Sequence, residues 1–463
     1  MKAKFPSQIK YIIGNEACER FSYYGMRAIL VVFMTTMLKY SAADAKANYH
    51  FFIQACYFLP LLGAFLSDRY LGKYKTILTL SVVYCLGHLA LALREDSMGL
   101  LIGLSLIAVG SGGIKPCVSA HVGDQFNDSN KHLLDRVFSL FYFSVNFGAA
   151  FSSVLTPILL VKYGPQIAFG IPGILMALAT VLFWMGRKEF VHVPPVGKNG
   201  PAGFLTVFMF ALKNQSKRLE GDTFMDAARS KHSASEIEGA KAAISIFKVF
   251  ATVTIFWALF DQQGSSWTLQ ADKMDLNVLG MKLEASQIQA MNPIMVLTLI
   301  PVFTLFIYPM VEKLGIKVTP LRKMSVGMLF AGLSFAMMGM LQTMIDHGAK
   351  ISVAWQLIPY LVITASEVMV SITGLEFAYT QAPRAMKSTI MSFWLLTVAF
   401  GNMLDGIIAK LNVFTGSGEF YFFAALMGFV SLIFVWSATR YQPREFIEND
   451  DGGAEATAAA ATA

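Results

Sequence analysis

"NEACERFSYYGMR", residues 15–27, packs Glu16, Glu19, Arg20 and Arg27 into thirteen positions, and "AILVVFMTTML" (28–38), as apolar as lipid, follows at once. On a helix advancing about 100° per residue, Glu16, Arg20, Tyr23 and Arg27 fall within about 60° of one another, with Glu19 about 60° from Glu16. Ile29, Leu30, Val32 and Phe33 are free to face elsewhere. Each charge facing lipid at mid-depth costs about 2.5–3.5 kcal/mol, so four cost on the order of 10 kcal/mol. Such a stripe must face a water-filled cavity or be neutralised by pairing. Glu16 and Arg20, acid first at i and i+4, are spaced to pair. A structural ion network is the competing reading. Two acids and two bases on one stripe, with tyrosines between them, favour the cavity.

The rest of the chain is a membrane protein. Of 463 residues, 55% are hydrophobic and only 14% charged, with a mean hydropathy of +0.54; soluble domains carry about 25% charged residues. A span needs roughly 20 mostly apolar residues, which gives 11–38, 48–70, 76–93, 98–120, 137–161 and 166–186, then 246–269, 287–311, 322–345, 353–380, 386–410 and 419–439. Six plus six is the pattern of a transporter built from two similar halves. The expected organisation is a six-helix bundle over 1–186, a cytoplasmic linker over 187–245, a second bundle over 246–440 and a disordered tail over 441–463. "GFLTVFMFALK" (203–213) in the linker is too short to span and reads as an interfacial helix. Lysine and arginine favour the side of the N-terminus roughly twofold even without the long linker, which places both termini in the cytoplasm. No cleavable leader is apparent in "MKAKFPSQIK". Cys18, Cys56, Cys85 and Cys117 show no disulfide or metal spacing. The net charge of +7 is distributed as a membrane protein requires, so nucleic acid is not expected as a partner.

Other spans carry matching groups. His50 and Tyr57 are seven apart and share a face. Lys115 follows "GSGG", whose small residues permit close helix approach. Asp261, Asn292, Glu367 and Glu376 lie in the second half, with Trp394 in "MSFWLL". The first half thus offers mostly cations and the second half acids. A zwitterion with its carboxylate toward Arg27 and Lys115 and its amine toward Glu367 would satisfy both.

Six stretches then occur in a familiar order: "EACERFSYYG" (16–25), "GAFLSDRYLGKYKT" (63–76), "GSGGIKPCVSAHVGDQF" (110–126), "FYFSVNFG" (141–148), "FWALFDQQGSSWTLQAD" (256–272) and "SEVMVSITGLEFAYTQAP" (366–383). Over nearly all of 10–440 the chain resembles the proton-dependent oligopeptide transporters, a branch of the major facilitator superfamily. The resemblance implies an all-α polytopic protein of the major facilitator fold, with twelve transmembrane helices in two six-helix bundles. It implies proton-coupled import of di- and tripeptides by alternating access. Glu16, Glu19 and Arg20 would couple protonation to binding, joined by His50, which matches a histidine of animal members, and by Asp261, where bacterial members often carry glutamate. Arg27 and Lys115 would hold the peptide carboxylate, with Tyr23, Tyr24, Tyr57 and Asn146 lining that pocket. Glu367, helped by Asn292, would take the amino end, and Trp394 would line a side-chain pocket. Asp68, Arg69 and Lys73 would control conformation. "SIT" (371–373) replaces the Ser-Pro-Thr of many bacterial members, so the bend there is an open question.

The linker is too short for the two extra helices of many bacterial members, and the loop between spans nine and ten leaves no room for the external domain of animal members. A multi-pass protein of a bacterial inner membrane is expected, working as a monomer among membrane lipid, with protons as coupling ion and no cofactor or metal. Nitrate-like anion or drug transport on the same fold is the alternative, and a membrane peptidase the rival from another class. No HExxH pair, aspartate dyad or serine–histidine arrangement supports an enzyme.

Overall fold

The computed structural model describes residues 5–127, 130, 133–195, 204–218, 221–381, 387–441, 445–446 and 456–457. Helices α1 (Ile9–Thr36), α2 (Ala42–Leu71), α3 (Lys73–Leu93) and α4 (Ser97–Asp124) come first. The helical run Leu134–Met185 has 52 residues and would reach about 78 Å at about 1.5 Å per residue. That is more than twice the roughly 30 Å of a bilayer's hydrocarbon. It breaks at Gly164, whose φ of 81° an L side chain rarely adopts, into α5 (134–163) and α6 (165–185). After the amphipathic α7 (Phe204–Lys213) come α8 (Ala234–Ala271), α9 (Ala285–Lys313), α10 (Pro320–Asp346), α11 (Val353–Ala378), α12 (Lys387–Leu411) and α13 (Ser417–Arg440).

Among the described residues ten helical segments are apolar and long enough to cross a membrane. One of them is the run divided at Gly164. The charged α1, at 28 residues, is long enough to cross as well but too polar to count by hydropathy alone. The protein is an all-α, multi-pass membrane protein.

Two boundaries differ from the sequence reading. Helix α8 starts at Ala234, not 246, because Ser233 and Glu236 form a reciprocal capping box. Hydropathy registers only the part of that helix at membrane depth, so its polar first turns were assigned to the linker. Helix α2 likewise starts at Ala42, where the Ser41 hydroxyl accepts from the Asp44 amide. The short apolar stretch of the linker forms α7: Val207 and Ala211 are buried, while Leu205, Met209 and Leu212 are exposed. Residues 347–352 alone join α10 to α11. Much of the tail expected to be disordered lies outside the described residues; Glu445–Phe446 pairs antiparallel with Ala456–Thr457.

Buried apolar side chains form one large cluster between Ile9 and Phe190 and another between Val207 and Phe434, so each half of the chain packs its own core. The "GSGG" reading holds at the α2–α4 crossing, where a Cβ on Gly63 would fall onto the backbone of Gly113.

The halves meet at the end of the bundle where α1 finishes and α2 begins, here termed the gate end. There α2 lies along α12. Lys46 Nζ donates to Glu419 Oε2 at 2.5 Å, Lys410 Nζ to Asp44 Oδ1 at 2.7 Å, and Gln289 Nε2 to the Ala28 carbonyl at 3.1 Å. Two ion pairs and a hydrogen bond from the Gln289 amide thus hold this end shut.

Candidate functional site

A cavity of about 230 Å³ lies between the halves. Helices α1, α2 and α5 contribute Tyr24, Arg27, Tyr57 and Asn146; α8, α9 and α11 contribute Trp257, Asp261, Asn292 and Glu367. Asn292 Nδ2 donates to Glu367 Oε2 at 2.8 Å and to Thr364 Oγ1 at 3.2 Å, which aims the carboxylate. Immediately after Glu367 the backbone leaves α-helical geometry for a π-helical turn, Val368–Ile372. This answers the question raised by "SIT": without proline, one wide turn still departs from the α ladder beside the acid, as such turns often do at functional sites.

On α1 the charged stripe exists as read. Arg20 Nε lies 2.8 Å from Glu16 Oε1 and 2.6 Å from Glu19 Oε2, with both acids buried. One guanidinium therefore serves two carboxylates, a 2:1 imbalance that protonation of either acid would relieve. Lys115 Nζ sits 4.0 Å from the Tyr57 ring centroid and 4.7 Å from that of Tyr23. It has no hydrogen-bond partner among the described residues.

Arg27, expected to hold the peptide carboxylate, lines the cavity with its charge already paired. Its guanidinium is engaged in the structure, donating to Asp261 Oδ1 at 2.5 Å and to the Tyr49 hydroxyl at 2.6 Å. His50 and Asp261, placed together as proton-handling residues, are bridged by Asn402, whose Oδ1 accepts from His50 Nδ1 at 2.8 Å and whose Nδ2 donates to Asp261 Oδ2 at 2.7 Å.

Three residues expected at the site, Tyr23 and Trp394 as lining and Lys115 as a carboxylate holder, stand back from the cavity. Tyr23 is fully buried against Tyr24 and Phe52, and Lys115 lies behind Tyr57. Trp394 is packed between Phe250 and Trp257, with ring centroids 4.9 and 6.0 Å away, and Trp257 is the indole at the cavity wall. A tryptophan inside an apolar run cannot reveal which face of its helix meets water. Far from the cavity, Asp68 and Arg69 occupy a π-helical turn at the end of α2, and Lys73 Nζ donates to Asp124 at 2.7 Å. This cluster is at the end opposite the gate.

The model of the POT family matches residues 74–419. The chain belongs to the POT family. Rat "Solute carrier family 15 member 2" is 30% identical over 95% of this chain and 90% of its own length. "Peptide transporter family 1" of Drosophila melanogaster is 30% identical over 96% of this chain and 89% of its own. Among solved structures, the POT family transporter PepTSo superposes with a TM-score of 0.89 at 41% identity, covering 95% of this chain and 99% of that one.

In this POT family chain the structure also brings in residues that sequence reasoning passed over. Tyr49 and Asn402 hold Arg27 and Asp261, and Ser265 Oγ lies 2.8 Å from His50 Nε2. Asp405, buried on α12, lies 3.5 Å from His50. Its signal was available: "MSFWLLTVAFGNMLDGIIAKL" (391–411) carries one acid within an apolar span, the same anomaly that singled out Asp261 and Glu367.

Proposed function

We propose that the protein is a proton-coupled symporter that imports di- and tripeptides by alternating access. The observation that carries this reading is the cavity itself, with Arg27, Tyr24, Tyr57 and Asn146 on one wall and Glu367 and Asn292 on the other. A peptide's two charged ends are common to all its sequences, so fixed charges of opposite sign on opposite walls recognise it without selecting a side chain. The peptide carboxylate competes with Asp261 for Arg27, which ties occupancy of the cavity to release of the gate. The Glu16–Glu19–Arg20 cluster takes the coupling proton, since burial favours a neutral carboxyl and the single cation favours a charged one. No cofactor is needed. One charge moved across 100 mV is worth about 2.3 kcal/mol, roughly fifty-fold accumulation.

The gate end faces the outside of a bacterial inner membrane and both termini face the cytoplasm, as the lysine and arginine bias supports. The two halves form the rocking units, and the working unit is a monomer with its surrounding lipid. Asp68, Arg69 and Lys73 act on opening at the cytoplasmic end.

Purified protein in liposomes, given labelled dialanine with the interior alkaline, tests the reading. Concentrative uptake that collapses with the proton gradient, and a Glu16→Gln variant reduced to gradient-independent exchange, are the expected results. No dialanine uptake by folded protein removes the peptide assignment and puts anion or drug transport ahead. Peptide recovered hydrolysed would favour an enzyme.

A further inference from the structure

We propose that a cavity between α8 and α13, at the ends of these helices remote from the gate, binds the headgroup of an anionic phospholipid through Lys248 and Arg440. The proposed orientation enters only in naming the leaflet, which is then the cytoplasmic one.

The cavity has a volume of about 320 Å³ and is lined by Ser245 and Lys248 of α8 and by Trp436, Ser437 and Arg440 of α13. The Arg440 guanidinium carbon lies 4.1 Å from the Trp436 ring centroid. Such a contact uses the face of the guanidinium and leaves its N–H fork free for phosphate oxygens. Ser245 donates its hydroxyl to the Lys241 carbonyl at 3.1 Å, so Lys248, Arg440 and Ser437 supply the donors. Other cations at helix ends are matched: Lys241 by Asp226 and Glu238, Lys46 by Glu419, and Lys410 by Asp44. Among the described residues neither Lys248 nor Arg440 forms such a pair.

Depth identifies the ligand. Glu419 of α13 and Ser266 of α8 are hydrogen-bonded to each other at the gate end. At 1.5 Å per residue, Arg440 lies about 32 Å along α13 from Glu419, and Lys248 about 27 Å along α8 from Ser266. Those distances match the roughly 30 Å of a bilayer's hydrocarbon, so the cavity lies where the headgroups of the opposite leaflet begin. Tryptophan favours that level, and Trp436 is 56% exposed. From Trp436 toward the gate, Ile433, Leu432 and Phe429 follow at helical spacing and are all exposed, an apolar track for acyl chains. Two unmatched cations at one end of an apolar stripe suit an amphiphile with a negative head, and basic pockets between helices on the cytoplasmic side bind such headgroups. A soluble anion would have no use for the stripe. The bound lipid ties α13 to the helix that carries Trp257 and Asp261 of the central cavity.

The test uses purified full-length protein in a mild detergent, offered equal amounts of dioleoylphosphatidylglycerol and dioleoylphosphatidylcholine and read by native mass spectrometry. Both lipids carry a phosphate, but only the first has a net charge. Wild type should retain one phosphatidylglycerol in preference to phosphatidylcholine. Lys248→Ala and Arg440→Gln should each weaken that retention at least about fivefold. Lys323→Ala, which removes a cation lying 4.5 Å from the Tyr308 ring centroid between α9 and α10, should leave it unchanged. If Arg440→Gln fails to fold for want of its contact with Trp436, Lys248→Ala, at an exposed position of α8, carries the test. Equal retention in wild type and Lys248→Ala, or no preference for phosphatidylglycerol, overturns the site. Inorganic phosphate is the second arm. A wild-type Tm raised as much by phosphate as by phosphatidylglycerol, with no rise in Lys248→Ala, overturns the lipid in favour of a soluble anion. Dialanine uptake measured in parallel keeps the two readings apart. Absent uptake with lipid retention intact removes the peptide assignment alone, and intact uptake without retention removes the lipid site alone.

Discussion

Arg27 of α1 and Asp261 of α8 lie 2.5 Å apart across the line where the halves of the chain meet, 234 residues apart in sequence. Their pairing ties the two halves together at the wall of the central cavity, which both side chains line. Removing one partner leaves the other charge buried and unmatched, at a cost of about 3–5 kcal/mol. Asp261→Ala should therefore lower the closed population at least about a hundredfold. Spin labels at Ala42 and Val413, exposed residues on the two sides of the gate end, would report this as a longer distance distribution. The double variant Arg27→Gln/Asp261→Asn should recover part of the loss, and equal closure in all three proteins would mean that the pair does not hold the gate.

Glu367 accepts a hydrogen bond from Asn292 in the cavity, with 2.8 Å between Nδ2 and Oε2. A charge-assisted bond to a peptide's amino group contributes about 1.5–3 kcal/mol. Glu367→Gln should then raise the KM for dialanine about tenfold to a hundredfold. The competition of N-acetyl-dialanine, which lacks the amine, should hardly change. An equal loss for both compounds would point to a collapsed cavity instead of a lost ion pair.

The two indoles should separate cleanly. Trp394 is packed behind the wall and Trp257 forms part of it. Trp394→Ala opens a void costing about 3–5 kcal/mol, read as a lowered Tm in detergent. Trp257→Ala should alter the preference between small and bulky peptide side chains at a smaller cost in Tm. Reversed assignments in a competition panel would restore Trp394 to the cavity.

Outside the membrane, Asp226 ties the linker to α8. It accepts from the Thr223 amide at 2.8 Å and hydroxyl at 2.6 Å and pairs with Lys241 at 2.9 Å and Arg229 at 3.1 Å. Burial alone would raise its pKa, but the bonds from Thr223 and Lys241 outweigh burial and hold it well below the ordinary range. A depressed carboxyl contributes its stability above the unfolded value of about 3.9 and loses it as pH falls further toward the folded value. Cleavage of the linker by an acid-active protease should accordingly be slow at pH ~5 and rise steeply below pH ~3.9. Asp226→Asn, missing about 1–3 kcal/mol of this bonding, should be cut readily already at pH ~5.

How much of this was legible in the chain depends on the range of the interaction. The charged stripe on α1, the Glu16–Arg20 pair, the crossings and the close approach at "GSGG" are set within one helix or by its transfer into lipid. Hydropathy and a period of about 3.6 residues report such things directly. Even there the sequence marked the span at 246–269 and not the start of α8 at Ala234, because a capping box acts through hydrogen bonds that a hydropathy window does not see. Partnerships between helices are another matter. Periodicity says that Arg27 faces a polar region; it does not say whether a peptide or Asp261 meets it. Nor does it place Trp394 behind Trp257, or set Asp405 beside His50. Those outcomes follow from how two six-helix halves pack at the gate end and from which end is closed. A buried charge must find a partner in either arrangement, but only the tertiary structure decides which partner is within reach.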